Sequence, residues 1–503
     1  MDNPVLHWLP LTWLIPMLPL SAALALWLRS LLQTNTSDAS EAFSAHIAQG
    51  AALCTLAGLI ALSAQLTITP LQNSHVFLGT WFQVDTPHHI DRSLNPSLGV
   101  SFSLLLDPLA LGFACLFTLL ICIILSFSRR YMHREAGFHR FFAALSLFLS
   151  GMLLIILAGN ALLAFIGWEL AGVASFLLIA YAQQRDTTAD NALRAFITNR
   201  LGDAAFLMSI GFSLAWAGTL EWPLLAQRVR EMESVNASLI VIGFLFAALV
   251  KSAQIPFSSW IARALEGPTP SSAIFYGGLY AHAGVFLILR LQDFFQSTPQ
   301  LSWLLITAGL ATCFYSAFCA LLQNDIKSSL LYSTLGQIGL MFIACGLGFF
   351  TFASVHLAAH VIFRTWQFLH APSWLALSER APPALPTWLR ENHLLYSTAL
   401  QRFWLELIGD HLLTHPTQRL GKDMANIDNR IIEPLLPKLT GLLLEKVAAR
   451  LAHFEYLLLV QKNGGRAATL LLQIGQLLIR IERLLEQPRY LFLFVFATLI
   501  VIL

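Results

Sequence analysis

The chain has 503 residues, 56% of them hydrophobic and 12% charged, with a mean hydropathy of +0.66. Soluble globular proteins carry about 25% charged residues, and a chain with half that share cannot cover its apolar surface with solubilising groups. An ordinary soluble enzyme is excluded, and the net charge of +2 excludes a nucleic-acid-binding protein; this is the sequence of an integral membrane protein.

A bilayer core of about 30 Å needs about 20 apolar residues per helix. That rule predicts an all-α polytopic membrane protein with spans near residues 5–28, 47–69, 102–127, 138–157, 161–181, 195–217, 237–259, 271–291, 301–322, 328–349 and 352–377, and a shorter one at 489–503. The first stretch lacks the basic region of a signal peptide, Asp2 being its one early charge, and is expected to remain as a span. Residues 70–101 are interrupted by Pro70, Gly79, Pro87, Pro96 and Gly99 and are expected as an extramembrane loop with a hairpin through His75–Trp81. Cys54, Cys115, Cys122, Cys313, Cys319 and Cys345 all lie in apolar runs without a CxxC pair, and the expectation is small buried hydrophobes.

Charge is concentrated at the end of the chain. Residues 1–377 hold 16 Lys/Arg and 17 Asp/Glu, while 378–503 hold 14 and 11, about twice the density. This divides the chain into N-terminal helices with their loop (1–101), a transmembrane core (102–377), a cytoplasmic and amphipathic helical segment (378–488) and a last span (489–503). Within the third part, Pro382, Pro383 and Pro386 mark a linker, residues 398–415 and 435–486 have helical apolar spacing, and 473–486 is strongly two-faced. Nine loop Lys/Arg lie in odd-numbered connections against four in even-numbered ones, so the positive-inside rule places the N-terminus outside and 378–488 in the cytoplasm.

Function is sought where ionisable groups fall inside apolar runs, because each costs about 2.5–3.5 kcal/mol at a helix centre. Glu169 lies in LLAFIGWELAGVASFLLIAY and Lys251 ends ASLIVIGFLFAALVK, about 21 Å along a helix from Ala237. Pro256, five residues on, removes a backbone donor and predicts a discontinuous helix around Lys251–Pro256 of the kind that lines ion pathways. Opposite charges on separate spans suggest a pair that exchanges a proton as its members approach and separate. Asp203 stands three residues after Arg200, which leaves a local ion pair as an equal alternative. Lys327 fits either a relay or a membrane-edge anchor. His356, His360 and Arg364 recur every four residues on one helix face, and His282 lies in GGLYAHAGVFLILR. A histidine wire is preferred over a metal site, since HLAAH lacks a third ligand and the general-base glutamate of HExxH. Without a phosphate-binding loop, dinucleotide fingerprint or iron–sulfur cysteine set, the sequence reads as an ion-conducting transporter subunit, not an enzyme, with no cofactor of its own.

Six strings resemble the proton-pumping, antiporter-like subunits of respiratory complex I, the NuoL type: SLLLDPLAL, FIGWELAGVASFLLIAY, AFITNRLGDAAF, KSAQIPFSSWIARALEGPTPSSA, NDIKSSLLYSTLGQIGLMF and HLAAHVIF, spread over residues 100–370. The resemblance implies proton-conducting roles for Glu169, Lys251, Lys327, His356 and His360, with an acidic partner at Asp203. The chain departs from that family at Tyr276, where a histidine is usual, at Arg364, where a lysine is usual, and at Ser378, where further spans are usual and a charged tail begins. RFWLELIGDHLLTHPTQRLGKDMANIDNRIIE keeps a faint likeness to the family's C-terminal region. A shortened antiporter-like inverted repeat with this tail looks like DabB, the membrane subunit of the two-component DabA–DabB inorganic carbon transporter. That implies a bacterial inner-membrane subunit whose proton or sodium flow drives CO2 hydration to bicarbonate on a large cytoplasmic DabA-like partner, itself like a zinc β-carbonic anhydrase and the holder of the zinc. The alternatives are a subunit of a respiratory dehydrogenase, membrane hydrogenase or multisubunit cation/proton antiporter, or an anchor whose relay is vestigial.

Overall fold

A computed structural model describes residues 9–32, 37–69, 74–84, 98–278, 280–371 and 385–432, together with Arg450 and Gln476. Helices dominate: α1 (Leu14–Leu32), α2 (Asp38–Ile68), α3 (Pro108–Tyr131), α4 (Phe138–Leu157), α5 (Ala161–Ile179), α6 (Asp186–Phe212), α7 (Trp222–Glu231) and α8 (Ser234–Lys251). Then come the short α9 (Ser259–Arg263) and α10 (Thr269–Ser272), α11 (Ala283–Arg290), α12 (Pro299–Leu321), α13 (Ile326–Gly346) and α14 (Phe350–Leu369). Among the described residues eight helices are long and apolar enough to cross a membrane. The protein is a multi-pass, essentially all-α membrane protein.

Local sequence explains where the elements begin. Asp107 caps α3 by accepting from Ala110 N at 2.7 Å with Pro108 in the first turn, Asn160 caps α5 through Leu163 N at 2.8 Å, and Asp325 caps α13 through Ser328 N at 2.8 Å. Helix α4 has no polar face and is buried over nearly its whole length, so it forms the centre of the bundle between α1 and α5.

Three expected spans need correction. The span placed at 102–127 starts later, because residues Leu98–Leu105 are a strand and the Asp107–Pro108 cap sets the helix start. Residues 195–217 belong to the longer α6, which begins at Asp186 and ends in a π-turn over Ser213–Ala217. The segment 271–291 is not one helix: α10 passes into a π-helical turn, Ala273–Gly278, and α11 resumes only at Ala283. The spans and amphipathic helix expected in 435–503 lie outside the described residues, as does the proline-rich stretch 372–384. Cys54 is exposed on α2 and Cys115 and Cys313 are half-buried, against the expectation of buried side chains; Cys122, Cys319 and Cys345 are buried.

The hairpin expected from His75 pairs β1 (His75–Val84) antiparallel with β2 (Leu98–Leu105) and has two irregularities in register. Glu221, at the start of α7, fastens it: His75 Nε2 donates to Glu221 at 2.5 Å, Ser103 Oγ at 2.6 Å, and Ser101 Oγ donates to the other oxygen. Burial works against ionisation of Glu221, but these hydrogen bonds outweigh it and hold the carboxyl below the usual carboxylate range. A depressed folded-state value means that its stabilisation is complete above the unfolded value of about 4.3 and is lost as pH falls through the folded value. Glu221→Gln is therefore expected to loosen the hairpin by about 1–3 kcal/mol at neutral pH and to remove the parent's increase in protease nicking of the hairpin as pH falls below about 4.3. A nicking profile that matches the parent would contradict this.

Beyond α14 the described chain resumes with α15 (Thr387–Glu391), α16 (His393–Leu400) and α17 (Leu405–Gly409), which packs on α9. Contacts divide the chain into residues 1–417 and 418–503; of the second unit, residues 418–432 are helical, and 419–430 are exposed.

Candidate functional site

Helix α8 stops at Lys251, as the Pro256 signal predicts. Ala253 takes a left-handed φ of 51°, and the chain crosses seven residues before α9 begins. The carbonyls this break releases find side-chain donors: Trp260 Nε1 reaches Val250 O at 3.0 Å and Gln254 Nε2 reaches Ser252 O at 3.1 Å. Thr312 Oγ1 on α12 accepts from Ile255 N at 3.0 Å. The break is thus a built element with its own partners.

Lys251 is 1% exposed. Its ammonium lies 3.4 Å from Trp168 O, 4.9 Å from the Trp168 ring centroid and 4.7 Å from that of Tyr280. Glu169 is not in contact with it. Arg200 takes that place, with Nη1 2.5 Å from Glu169 Oε2 and Nη2 2.7 Å from Asp203 Oδ2. Asp203 also accepts from Trp168 Nε1 at 2.8 Å. Glu169 and Lys251 are apart in this structure: the carboxylate belongs to a bridge, Glu169–Arg200–Asp203–Trp168, and Lys251 lies across a gap at Gly172 from it. Gly172, one turn after Glu169, keeps the gap open: a Cβ there would meet Arg200 Nη2 at 3.4 Å and Lys251 Nζ at 3.6 Å.

The second broken segment sets the next group. His282, wholly buried before α11, has its ring 5.3 Å from that of His360, which in turn lies 6.1 Å from His356. His356 Nε2 meets Gln337 Oε1 at 2.9 Å, and Arg364 donates to Ser333 Oγ at 3.0 Å. Both nitrogens of His282, Nε2 of His360 and the hydroxyls of Ser252, Ser271 and Ser272 are buried without a protein hydrogen-bond partner. Buried polar atoms of this kind are the ones that internal water satisfies. Lys327 stands apart at the start of α13, donating to Thr269 Oγ1 at 2.7 Å. Among the described residues no group of three or more His, Cys, Asp or Glu is arranged to hold a metal ion.

The two breaks are pressed together at Gly284, where a Cβ would lie 2.2 Å from Ala248 O and 2.4 Å from Ser252 Oγ. Gly284→Ala is expected to push α11 off α8, at a cost of about 1–3 kcal/mol, lowering the melting temperature and the activity together. Unchanged melting would show that the contact is loose.

Sequence reasoning missed Arg200 as the bridging group, together with Trp168 and Tyr280 around the ammonium. The Arg200–Asp203 spacing signalled the local pair, but the link to Glu169 on another helix is visible only in three dimensions.

Known proteins bear on this geometry. Residues 94–142 match the family of the NADH-ubiquinone oxidoreductase (complex I) chain 5 N-terminus, and residues 158–380 match the NADH:quinone oxidoreductase/Mrp antiporter transmembrane family. The NAD(P)H-quinone oxidoreductase chain 5 of a Picosynechococcus species is 33% identical over 368 residues, which is 72% of this chain and 53% of that protein. NADH-quinone oxidoreductase subunit L of Campylobacter jejuni is 36% identical over 274 residues, 54% of this chain and 46% of that protein. This chain spans about half the length of these curated relatives. A chain of the Mrp complex from a Dietzia species superposes with a TM-score of 0.58 at 25% identity, over 71% of this chain and 37% of that one. A chain of the membrane-bound sulfane sulfur reductase, an archaeal respiratory membrane complex, gives 0.60 over 80% and 82%; at 18% identity it shows a shared fold. Across residues 94–380 the chain belongs to the antiporter-like membrane-subunit family of the quinone oxidoreductases and Mrp antiporters.

Proposed function

We propose that the chain conducts protons, or sodium ions, as the membrane subunit of an energy-coupled inorganic carbon uptake complex of the DabB type. Its partner is a large cytoplasmic DabA-like subunit, and ion flow through this chain drives hydration of CO2 to bicarbonate on the partner's zinc. The membrane is the bacterial inner membrane, with the N-terminus outside and the charged tail in the cytoplasm.

The observation that carries conduction is the ammonium of Lys251, buried where its helix breaks, across the Gly172 gap from the Glu169–Arg200–Asp203 bridge. A charge at that depth is stable only with partners or water. Proton transfer runs from Lys251 toward His282, His360 and His356, whose unpaired ring nitrogens suit a water-linked wire. Arg364, one turn beyond His360 on the same helix, completes this relay set at a position where the family usually has lysine. Lys327 is a second titratable amine on the tail-facing side.

The carbon-uptake reading is supported by the departure at Ser378: the family match stops at residue 380, and a tail of about twice the core's charge density follows. A second reading, a subunit of a respiratory dehydrogenase, membrane hydrogenase or multisubunit cation/proton antiporter, is favoured by the names of the relatives. The test is growth in air of a bacterium lacking carbonic anhydrase and expressing this chain with its genetic neighbour. Growth that an uncoupler abolishes, with a zinc-containing soluble protein co-purifying, is the expected result. Co-purification of iron–sulfur or other antiporter subunits instead would establish the second reading.

A further inference from the structure

The stretch Arg402–Thr414 faces the core on one side with charge. Glu406 takes Arg263, at the end of α9, at 2.6 Å, and also takes Arg402. Asp410 lies 3.4 Å from Arg194 near the start of α6, the helix that carries Arg200 and Asp203 two and three turns further on. Phe403 lies against the rings of Tyr315 and Phe318 on α12, at centroid distances of 5.7 and 6.5 Å. To present these groups the backbone takes three consecutive non-glycine residues, Arg402, Phe403 and Trp404, through left-handed φ of 50°, 56° and 53°. That conformation is unfavourable for residues with a Cβ and persists only where contacts enforce it.

What lies beneath is polar. Arg194, Thr198, Ser259, Arg263, Glu406 and Asp410 line a crevice of only about 10 Å³, too small for more than one water, with Trp260 at its floor. The Trp260 indole is bonded to Val250 O, the carbonyl next to Lys251. A fully apolar seal would need no arginines and carboxylates; a charged crevice with room for one water, ending on an indole that packs 5.6 Å from the Tyr280 ring over the Lys251 ammonium, has the construction of a shut aqueous passage.

We propose that this crevice is the mouth through which protons reach Lys251 from the tail side, and that residues 402–414 are its cover, held down by the Arg263–Glu406 and Arg194–Asp410 ion pairs. The proposal rests on the conduction reading above. It adds Arg194, Arg263, Glu406 and Asp410 as positioning residues that control access without passing protons themselves. It also gives a partner bound to the tail a direct means of opening or closing the path.

The test uses the full chain in membrane vesicles with the tail side outward and a thiol introduced by Ser259→Cys, whose side chain meets Gly409 under the cover. Labelling by a membrane-impermeant maleimide is located by mass spectrometry. Glu406→Gln with Asp410→Asn is expected to raise the labelling rate at position 259 at least about 10-fold and to raise passive proton leak. The charge exchange Arg194→Asp with Asp410→Arg should restore protection that Asp410→Arg alone removes, which separates opening from misfolding. No rise in labelling overturns the cover. Labelling that rises without any change in proton leak overturns the mouth, provided that Lys251→Met in the same vesicles still abolishes coupled flux. If Lys251→Met leaves flux intact, the conduction reading itself has failed.

Discussion

Lys251→Met is expected to abolish proton-coupled flux while leaving the chain inserted and assembled. Methionine matches lysine in length, and the ammonium is held by one backbone carbonyl and the Trp168 and Tyr280 rings, without an ion pair to any described residue. Exchanging a buried charge for a well-fitting apolar side chain is frequently neutral for stability. The loss should therefore appear in flux, by about 10²-fold or more, the scale on which acid–base groups contribute, and not in yield or melting temperature. Lys251→Arg separates charge from titration. Arginine keeps the cation over the same rings but does not release its proton, so it should conduct as poorly as methionine. Flux measured with a pH-sensitive dye in proteoliposomes reads both variants. If Lys251→Arg conducts at parent level, the residue is a fixed electrostatic element and the relay runs elsewhere.

Much of the fold could be read from hydropathy because lipid imposes a single requirement on each span, a run of apolar residues with its backbone bonds satisfied internally. The same requirement explains where the reading went astray. Helix α6 carries Arg194, Arg200 and Asp203, so composition alone misplaced its start, while tertiary partners on α5 and in the tail neutralise those charges. The break after Lys251 announced itself through Pro256, whereas the break before α11 has no proline inside it. Its signals are Gly277, pressed against the Thr365 backbone, and the π-turn that follows GPTP. Site residues were found as types at depths, which sequence supplies, but their pairing was not. Glu169 and Lys251 are opposite charges on two helices that both pack on α6, and only the placement of Arg200 on α6 decides that the carboxylate faces the guanidinium. Nothing in the spacing of the tail showed that Glu406 and Asp410 would return to α9 and α6, since that depends on a left-handed turn at residues that disfavour it.

Arg200→Met is expected to have the largest effect on stability. Arg200 is shared by two carboxylates on different helices, Glu169 at 2.5 Å and Asp203 at 2.7 Å, and the Asp203 side chain is only 4% exposed. Removing the guanidinium strands both. A fully buried pair broken in this way costs about 3–5 kcal/mol; with 36% of the Arg200 side chain exposed, solvent reduces the loss to about 2–3 kcal/mol. The melting temperature of the detergent-solubilised chain should fall accordingly. Adding Glu169→Gln and Asp203→Asn should recover most of the loss, since the neutral side chains no longer need the cation. A merely steric role for Arg200 predicts no such recovery. The triple variant then isolates function from folding: it keeps the packing of α5 on α6 and leaves Lys251 without any carboxylate to answer its charge. If the bridge takes part in conduction, the triple variant melts near the parent and carries no coupled flux. Parent-level flux in that variant would reduce the bridge to a clamp between two helices and leave Lys251 and the histidines as the whole of the path.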